Sequence, residues 1–220
     1  LSLLMYPIWN GLIVDRQAGQ AAELFLSEVD AREETQSTDP TEETIPYQQL
    51  WDEMCAYNET LYAEKQVSFD SPDDYEQPSF NLLDYGLEDE VFAVLTARKI
   101  NLEMPVYLGA TDTHLAHGAS HMSLTSLPIG GENTNCVIAA HRGYSKAAMF
   151  RDIENLEIGD KIYIENFREK LTYKVVQLRI ISPSDISQIL IREGKDMVTL
   201  LTCHPYRKNS QRYVVFCERI

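Results

Sequence analysis

A change of sequence pattern near residue 91 constrains the fold of this chain more than any other feature. From there on, short runs rich in β-branched and aromatic residues alternate with turn residues such as Gly130, Gly131 and Gly159. The runs lie at 91–95, 105–108, 136–140, 161–165, 171–181, 197–202 and 213–216. Roughly seven or eight strands at this spacing favour a mainly β fold that closes into an antiparallel-rich barrel.

Residues 1–65 instead predict two helices. Apolar residues recur at three- and four-residue steps over 10–31 and again over 47–65, which is the period of an amphipathic helix. The apolar, aromatic-ended stretch 1–9 fits two origins equally well: the interfacial end of a truncated transmembrane segment, or the start of the first core helix. We assign residues 1–65 to an N-terminal helical extension.

Residues 66–90 connect the helices to the barrel. They carry Pro72, Pro78, Gly86 and many acidic residues. This composition predicts an irregular segment that lies over the surface of the next domain. Within that domain, which we assign to residues 91–220, a short helix is expected over 145–156.

The acidic charge of the chain argues against a nucleic-acid partner. The net charge is −15, and residues 1–100 hold 21 acidic and 5 basic side chains. Residues 101–220 are nearly balanced, with 13 acidic and 14 basic side chains. No basic stripe is present to offset repulsion from a phosphate backbone.

The cysteines of the chain are isolated thiols. They are Cys55, Cys136, Cys203 and Cys217. The absence of a CxxC pair argues against a zinc or thioredoxin-type site, and the thiols are too sparse for a disulfide scaffold. His114, His117 and His121 have helical spacing but no supporting carboxylate pattern, so we expect no metal site.

Cys203 is the candidate nucleophile because it ends the apolar run 197–202. A thiol at a strand end lies at the barrel rim on a rigid backbone, although a buried structural thiol gives the same pattern. The loop that follows would return the chain so that Arg212 lies beside Cys203. Its guanidinium could then favour a thiolate or stabilise a developing oxyanion.

His141 follows the run 136–140 in the same way, and a histidine there suits general acid–base catalysis. Two neighbours are rivals: Arg142 for the role of the cation, and His204 for the role of the base. Adjacent residues on a strand point to opposite faces, which argues against His204. Cysteine, histidine and arginine at strand ends are the groups that acyl transfer through a thioester requires.

The segments that carry these residues resemble the motifs of a known family. TLLTC at 199–203 is similar to the TLxTC signature of sortases, and AHRG at 140–143 resembles the sequence around the catalytic histidine of class C, the pilin-polymerising sortases. Further similar segments follow the order of that class: MPVYLGA at 104–110, GASH at 118–121, TSLPIGGENT at 125–134, and the stretch from CHPY at 203–206 to Arg212. The resemblance is dense over 90–220 and looser over the helices.

The resemblance implies an eight-stranded sortase-type β-barrel and a cysteine transpeptidase. Cys203 would attack the Thr–Gly bond of an LPXTG-like sorting signal and form a thioester. His141 would protonate the leaving amine and deprotonate the incoming one, while Arg212 would hold the substrate and stabilise the oxyanion. No cofactor or metal is implied.

In class C the acceptor is a lysine amine of a pilin, so the resemblance implies pilin subunits as partners and an isopeptide bond as the product. It also implies a location on the extracellular face of the membrane of a Gram-positive bacterium. The anchoring segments would lie outside the present sequence.

Class C sortases also carry an N-terminal lid, usually with an Asp-Pro-aromatic triplet that covers the cysteine. This chain has no such triplet, so residues 66–90 are a lid-like segment without an obvious plug. Tyr75 or Phe80 could stack near the thiol, and Asp70 or Asp74 could pair with Arg212. A plain linker would show the same composition.

Two other functions stay open at the level of sequence. A sortase that joins proteins to cell-wall peptide amines would carry the same catalytic residues, because the sequence does not specify the acceptor. A non-catalytic binding module of the cell surface would keep the barrel and simply bury Cys203.

Overall fold

The computed structural model describes residues 2–36, 47–66, 75–87, 90–143 and 147–220, with side chains of the first helix described over 13–31. Asp70 and Asp74 therefore lie outside the described residues. The helices are α1 (Ser2–Gln36), α2 (Gln48–Ala63) and α3 (Asp112–His117). The strands are β1 (Val91–Ala97), β2 (Leu102–Leu108), β3 (Ala119–His121), β4 (Thr134–Ala139), β5 (Lys161–Asn166), β6 (Lys170–Ile181), β7 (Asp196–His204) and β8 (Gln211–Arg219).

The eight strands close into a barrel in the order β1-β2-β3-β4-β7-β8-β6-β5. The pairs β2–β3 and β4–β7 are parallel, and the others are antiparallel. β4 and β7 can be parallel neighbours because the chain between them makes a long crossover that contains β5 and β6. The predicted fold class, a mainly β, closed eight-stranded barrel, is confirmed.

Side chains of successive strand residues alternate between the barrel interior and its outer surface. In β7, Val198 and Leu200 pack into the main core inside the barrel. Met197 and Leu201 belong instead to a second apolar cluster. This second cluster also contains Ile189 from the connection between β6 and β7, so it lies on the outer face, under that connection.

The local predictions differ from the structure in two places. β3 was not predicted, because a three-residue strand is too short to show an alternating pattern. The helix expected over 145–156 is wrong for residues 147–156, which hold only a 3₁₀ turn, Ile153–Asn155. Met149 has a positive φ of 42°, which a right-handed helix does not allow.

The helical extension packs against the barrel. Ala22, Phe25 and Val29 of α1 are buried in the main core, and α1 contacts β1 and β2. The Asp15 carboxylate accepts a hydrogen bond from the backbone N–H of Ala148 at 3.1 Å. In α2, Asn58 accepts a hydrogen bond from the N–H of Leu127 at 2.8 Å.

Within the described residues, none of the helices combines the length and apolar character that crossing a membrane requires.

Residues 75–87 lie across the barrel surface and contain a 3₁₀ turn, Leu82–Tyr85. They approach the backbone closely at Gly109, which has a φ of +84°. A Cβ at this position would lie 2.6 Å from the carbonyl oxygen of Glu76 and 2.7 Å from the nitrogen of Pro78. Glycine is thus required by both the backbone conformation and the lack of space.

Candidate active site

Cys203 lies near the end of β7 and is half-buried. Its neighbours Leu200 and Thr202 are buried, and Leu200 packs in the core inside the barrel. Because strand residues alternate, Cys203 shares the outer face with Leu201. The thiol therefore lies at the edge of the outer apolar cluster, on a strand that pairs with β8 at Cys203 and with β4 up to Leu201.

Arg212 is directly opposite Cys203 in the antiparallel ladder of β7 and β8. Paired residues on adjacent strands project from the same face of a sheet, with Cβ atoms about 4.5–5.5 Å apart. The Nη1 atom of Arg212 donates to the carbonyl oxygens of Asn209, at 3.2 Å, and Gln211, at 3.0 Å. These two hydrogen bonds hold the guanidinium against the backbone of the hairpin that joins β7 and β8.

His141 lies two residues beyond Ala139, which pairs with Leu201 in the parallel ladder of β4 and β7. Continuing that register by two residues places His141 beside Cys203, on the same face. Hydrogen bonds hold this end of the ladder together. The N–H of Ala140 donates to Leu201 at 3.2 Å, and the hydroxyl of Thr202 donates to the carbonyl of Ala140 at 2.7 Å.

Two separate recesses are lined by these residues. The first, which we call the Cys203 recess, has a volume of about 290 Å³ and is about equally polar and apolar. Its lining consists of Cys203, His141, Arg142, Gly143, Tyr206, Arg207 and Asn209. The second, the Arg212 recess, has a volume of about 210 Å³. Its lining includes Arg212, Ala139, Leu201, Met122, Ile181 and Ile189.

The Arg212 recess is mainly apolar, with the guanidinium as its cation and Glu76, Asp112 and Asp185 as its acidic residues. Such a groove suits an extended peptide with apolar side chains, and the cation can bind a peptide carbonyl.

The surroundings of His141 favour its neutral form. Burial lowers the pKa of the imidazole, and the charge of Asp112 opposes this effect in part. A neutral imidazole accepts a proton from an incoming nucleophile, and in its protonated state it can return one to a leaving group. Asp112 therefore affects the pKa of His141, the residue that would transfer protons.

The rival residues Arg142 and His204 both contact Glu154, and Arg142 also lines the Cys203 recess. Arg142 is buried, and its guanidinium pairs with Glu154 and lies 2.8 Å from Nδ1 of His204. His204 follows Cys203 in β7 and so points to the opposite face, where its ring lies 6.0 Å from that of Tyr213. Among these candidates, the geometry favours Arg212 and His141 as the neighbours of the thiol.

The lid candidates that the structure describes occupy different places. Tyr75 lines the Arg212 recess, and its carbonyl accepts hydrogen bonds from the N–H groups of Ala110 and Ser123, both at 3.2 Å. Phe80 instead packs edge-on against Tyr57, with ring centroids 6.0 Å apart. Of the two aromatic candidates, Tyr75 is the one beside the proposed substrate groove.

The three histidines with helical spacing diverge. His121 is fully buried in β3, His117 is exposed, and His114 stacks on Tyr107 with ring centroids 5.0 Å apart. Among the described residues, no group of three or more histidine, cysteine, aspartate or glutamate side chains could hold a metal ion.

Asp112 and Glu154 are residues of this region that the sequence did not single out. Asp112 begins α3 directly after Thr111, whose hydroxyl accepts a hydrogen bond from the N–H of His114 at 3.1 Å. That capping pattern is a sequence signal and could have located the helix. Glu154 is one of several acids in the stretch 152–160, and no local pattern distinguishes it from the others.

Comparison with known proteins identifies the family of the barrel domain. Residues 95–220 match the family described as Sortase domain. The chain is 32% identical over 126 residues to Sortase A of Bacillus anthracis, and the alignment covers 57% of this chain and 58% of that protein. The aligned part is thus little more than half of the length of this curated relative.

Solved structures of similar proteins cover most of the chain. Sortase C1 of GBS pilus island 1 has a TM-score of 0.76 and 29% identity, with 92% of each chain covered. Sortase C of Streptococcus pneumoniae, whose structure is described as informative on catalysis and pilin substrate specificity, has a TM-score of 0.73 and 30% identity, and the match covers 91% of this chain and 96% of that one.

Proposed function

Since the chain belongs to the sortase family, we propose that it is a cysteine transpeptidase that cleaves an LPXTG-like sorting signal and transfers the acyl group to an amine. One observation carries the proposal. The ladders of β7 with β4 and with β8 bring the ends of strands that are distant in sequence to one place, so that His141 and Arg212 flank Cys203 on one face.

The chemistry assigns one role to each residue. The thiolate of Cys203 attacks the carbonyl carbon of the Thr–Gly bond, and Arg212 stabilises the oxyanion that develops. His141 takes the proton of the Cys203 thiol and donates it to the leaving glycine amine, which leaves a thioester on Cys203. It then removes a proton from the incoming amine, which attacks the thioester and releases Cys203 as the thiolate.

The two recesses support a reaction with two substrates. The apolar Arg212 recess suits the sorting signal, because its walls accept apolar side chains next to a cation. The Cys203 recess is a separate space lined by the thiol, and we infer that it gives the amine a route to the thioester.

For the acceptor we propose a lysine amine of a pilin subunit, which makes the product a covalent pilus. The support is the similarity to class C enzymes over about nine tenths of the chain, including the helical extension. Tyr75 at the Arg212 recess is our candidate for the lid residue, with Asp70 and Asp74 as its neighbours in sequence. The site of action is then the extracellular face of a Gram-positive membrane.

The test uses the purified protein, a peptide with an LPXTG-like signal and a pilin fragment. Wild type forms a thioester that hydroxylamine cleaves, and SDS-resistant pilin oligomers follow. Cys203→Ala forms neither, and His141→Ala lowers turnover at least about 100-fold, the low end for loss of a general acid–base group.

Cys55→Ala serves as the control, because Cys55 is a half-buried thiol on α2, within the extension. It is expected to keep wild-type turnover. Near-normal turnover by Cys203→Ala would rule out the thioester mechanism. Transfer to a cell-wall peptide amine, with no pilin oligomers, would replace the pilin acceptor and leave the transpeptidase in place.

A further inference from the structure

A cluster of charged side chains lies behind the candidate active site. One nitrogen of the Arg142 guanidinium pairs with the Glu154 carboxylate, and the other lies 2.8 Å from Nδ1 of His204. The same Nδ1 atom lies 2.9 Å from Glu154 Oε1. We call these three residues the Glu154 cluster.

The cluster joins the two strand ends that carry the nucleophile and the base. Arg142 directly follows His141, and His204 directly follows Cys203. In extended chain, neighbouring side chains point to opposite sides. His204 therefore points away from Cys203, whereas Arg142 also lines the Cys203 recess, and Glu154 reaches the cluster from a third element, the 3₁₀ turn Ile153–Asn155.

Glu154 is the central member for a chemical reason. A guanidinium can only donate hydrogen bonds, whereas a carboxylate can accept from both the guanidinium and an imidazole N–H. The hydrogen bond from Arg142 lowers the pKa of Glu154, with help from the charges of Arg142 and His204, so the carboxylate is ionised at neutral pH.

Burial restricts the movement of the side chains in the cluster, most of all that of Arg142. The Arg142 side chain is 7% exposed, and those of His204 and Glu154 are 17% and 40% exposed. Removing the carboxylate would leave the buried guanidinium without its anion, so Arg142 would have to move toward water. Because Arg142 and His141 are consecutive, that movement would carry the imidazole with it.

We propose that Glu154 is a positioning residue: through Arg142 and His204 it sets the distance between the His141 imidazole and the Cys203 sulfur. The proposal rests on the proposed function for its meaning in turnover. It also predicts a change in the reactivity of the Cys203 thiol, which can be measured without substrate.

The turnover experiment compares Glu154→Gln with Glu157→Gln. Glu157 is a matched control, because it is three residues away and forms an exposed ion pair with Lys99 at 3.1 Å. Glu154→Gln is expected to lower kcat between about 10-fold and 100-fold, the range for a displacement of about 1 Å, with KM within about 2-fold of wild type. Glu154→Asp keeps the charge and is expected to lose less than Glu154→Gln.

The substrate-free experiment follows alkylation of Cys203 by iodoacetamide against pH, with mass spectrometry to separate Cys203 from the other thiols. Moving the imidazole and its surroundings away from the sulfur raises the pH midpoint in Glu154→Gln, while Glu157→Gln keeps the wild-type midpoint. If Glu154→Gln folds poorly, the same comparison is made with His204→Gln. This variant removes the contact between His204 and Glu154 and leaves the Arg142–Glu154 pair.

The outcomes separate the two proposals. An unchanged kcat and an unchanged alkylation midpoint overturn the positioning role, as does a loss that Glu157→Gln shares or that only follows a lower folded fraction. If wild type does not cleave the peptide at all, the proposed function fails. A raised alkylation midpoint in Glu154→Gln still supports the role of Glu154 in that case.

Discussion

Among single residues, the environment separates Cys203 from the other thiols. Burial raises the pKa of Cys136 and Cys217, which lie inside the strand core. Burial and the nearby charge of Asp52 raise the pKa of Cys55. A thiol with a raised pKa is a poor nucleophile at neutral pH. Cys203 instead lies at a recess with an imidazole beside it.

At this scale, the pH dependence of turnover tests the part played by Asp112. Its charge raises the pKa of His141 against the effect of burial, so Asp112→Asn is expected to lower that pKa. The limb of the profile of kcat/KM against pH that reports His141 then moves to lower pH. The measurement is peptide cleavage across the pH range.

Asp185→Asn is the control for this prediction, because Asp185 lines the same recess as Asp112. Its profile is expected to keep the wild-type position. A shift to higher pH in Asp112→Asn would show that this carboxylate does not act on the imidazole through its charge.

Among the elements, the parallel pair β4–β7 has the largest effect on the site. The antiparallel hairpin of β7 and β8 brings Arg212 to Cys203 through a short loop. His141 lies two residues after β4, and only the crossover through β5 and β6 allows β4 to lie beside β7. A buried side chain reinforces this pair: Asn135 of β4 accepts a hydrogen bond from Thr199 of β7 at 2.8 Å.

The segment that crosses the barrel at Gly109 allows a test at the scale of elements. Gly109→Ala adds a Cβ where the backbone of residues 76–78 already lies, so we expect the segment to move off the barrel. The left-handed conformation alone costs about 1–2 kcal/mol for a residue with a Cβ. The measurements are urea unfolding and limited proteolysis within 75–87.

Gly159→Ala separates the cost of a left-handed backbone conformation from the cost of a steric clash. Gly159 has a φ of +101°, and a Cβ there meets nothing within 4 Å. This variant is expected to lose stability from strain alone, with wild-type proteolysis of residues 75–87. Equal proteolysis of the two variants would show that the segment does not depend on the close approach at Gly109.

For the whole molecule, a buried histidine links barrel stability to pH. His121 is fully buried in β3, and its Nε2 atom lies 3.2 Å from the carbonyl oxygen of Thr125. Its Nδ1 atom is buried and has no hydrogen-bond partner among the described residues. Adding a proton there would create a buried donor without an acceptor, so burial lowers the pKa to about 4.

The sign of the effect on stability follows from this pKa. The unfolded chain binds the proton near a pKa of about 6.5, and the folded barrel does so near about 4. The free energy of unfolding therefore has its full value above pH 6.5 and falls as the pH drops toward 4, by up to about 3 kcal/mol from this group. Urea titrations across this range measure the slope.

His121→Gln is expected to be less stable at neutral pH but to show a smaller slope between pH 6.5 and 4 than wild type. His117→Gln, at an exposed position of α3, is expected to keep the wild-type slope. An identical slope in His121→Gln would mean that other groups cause the loss of stability in acid.

Much of the fold could be predicted from local sequence pattern, because the order of apolar and polar residues along a short segment shows both strand alternation and helical period. The runs that predicted seven of the eight strands are long enough to show such a pattern, whereas the three-residue β3 is not. The apolar residues of 147–156 suggested a helix, yet they pack into the core from turns. Their spacing alone could not separate these two outcomes.

The sequence by itself determined that the chain forms a β-barrel with a helical extension, and that Cys203, His141 and Arg212 are the residues to test. Only the tertiary structure decided that these three lie close together, and that Arg142 and His204 pair with Glu154. The reason is physical. Which side of a strand faces the interior is a local property, but which distant strands become neighbours depends on closure of the whole barrel.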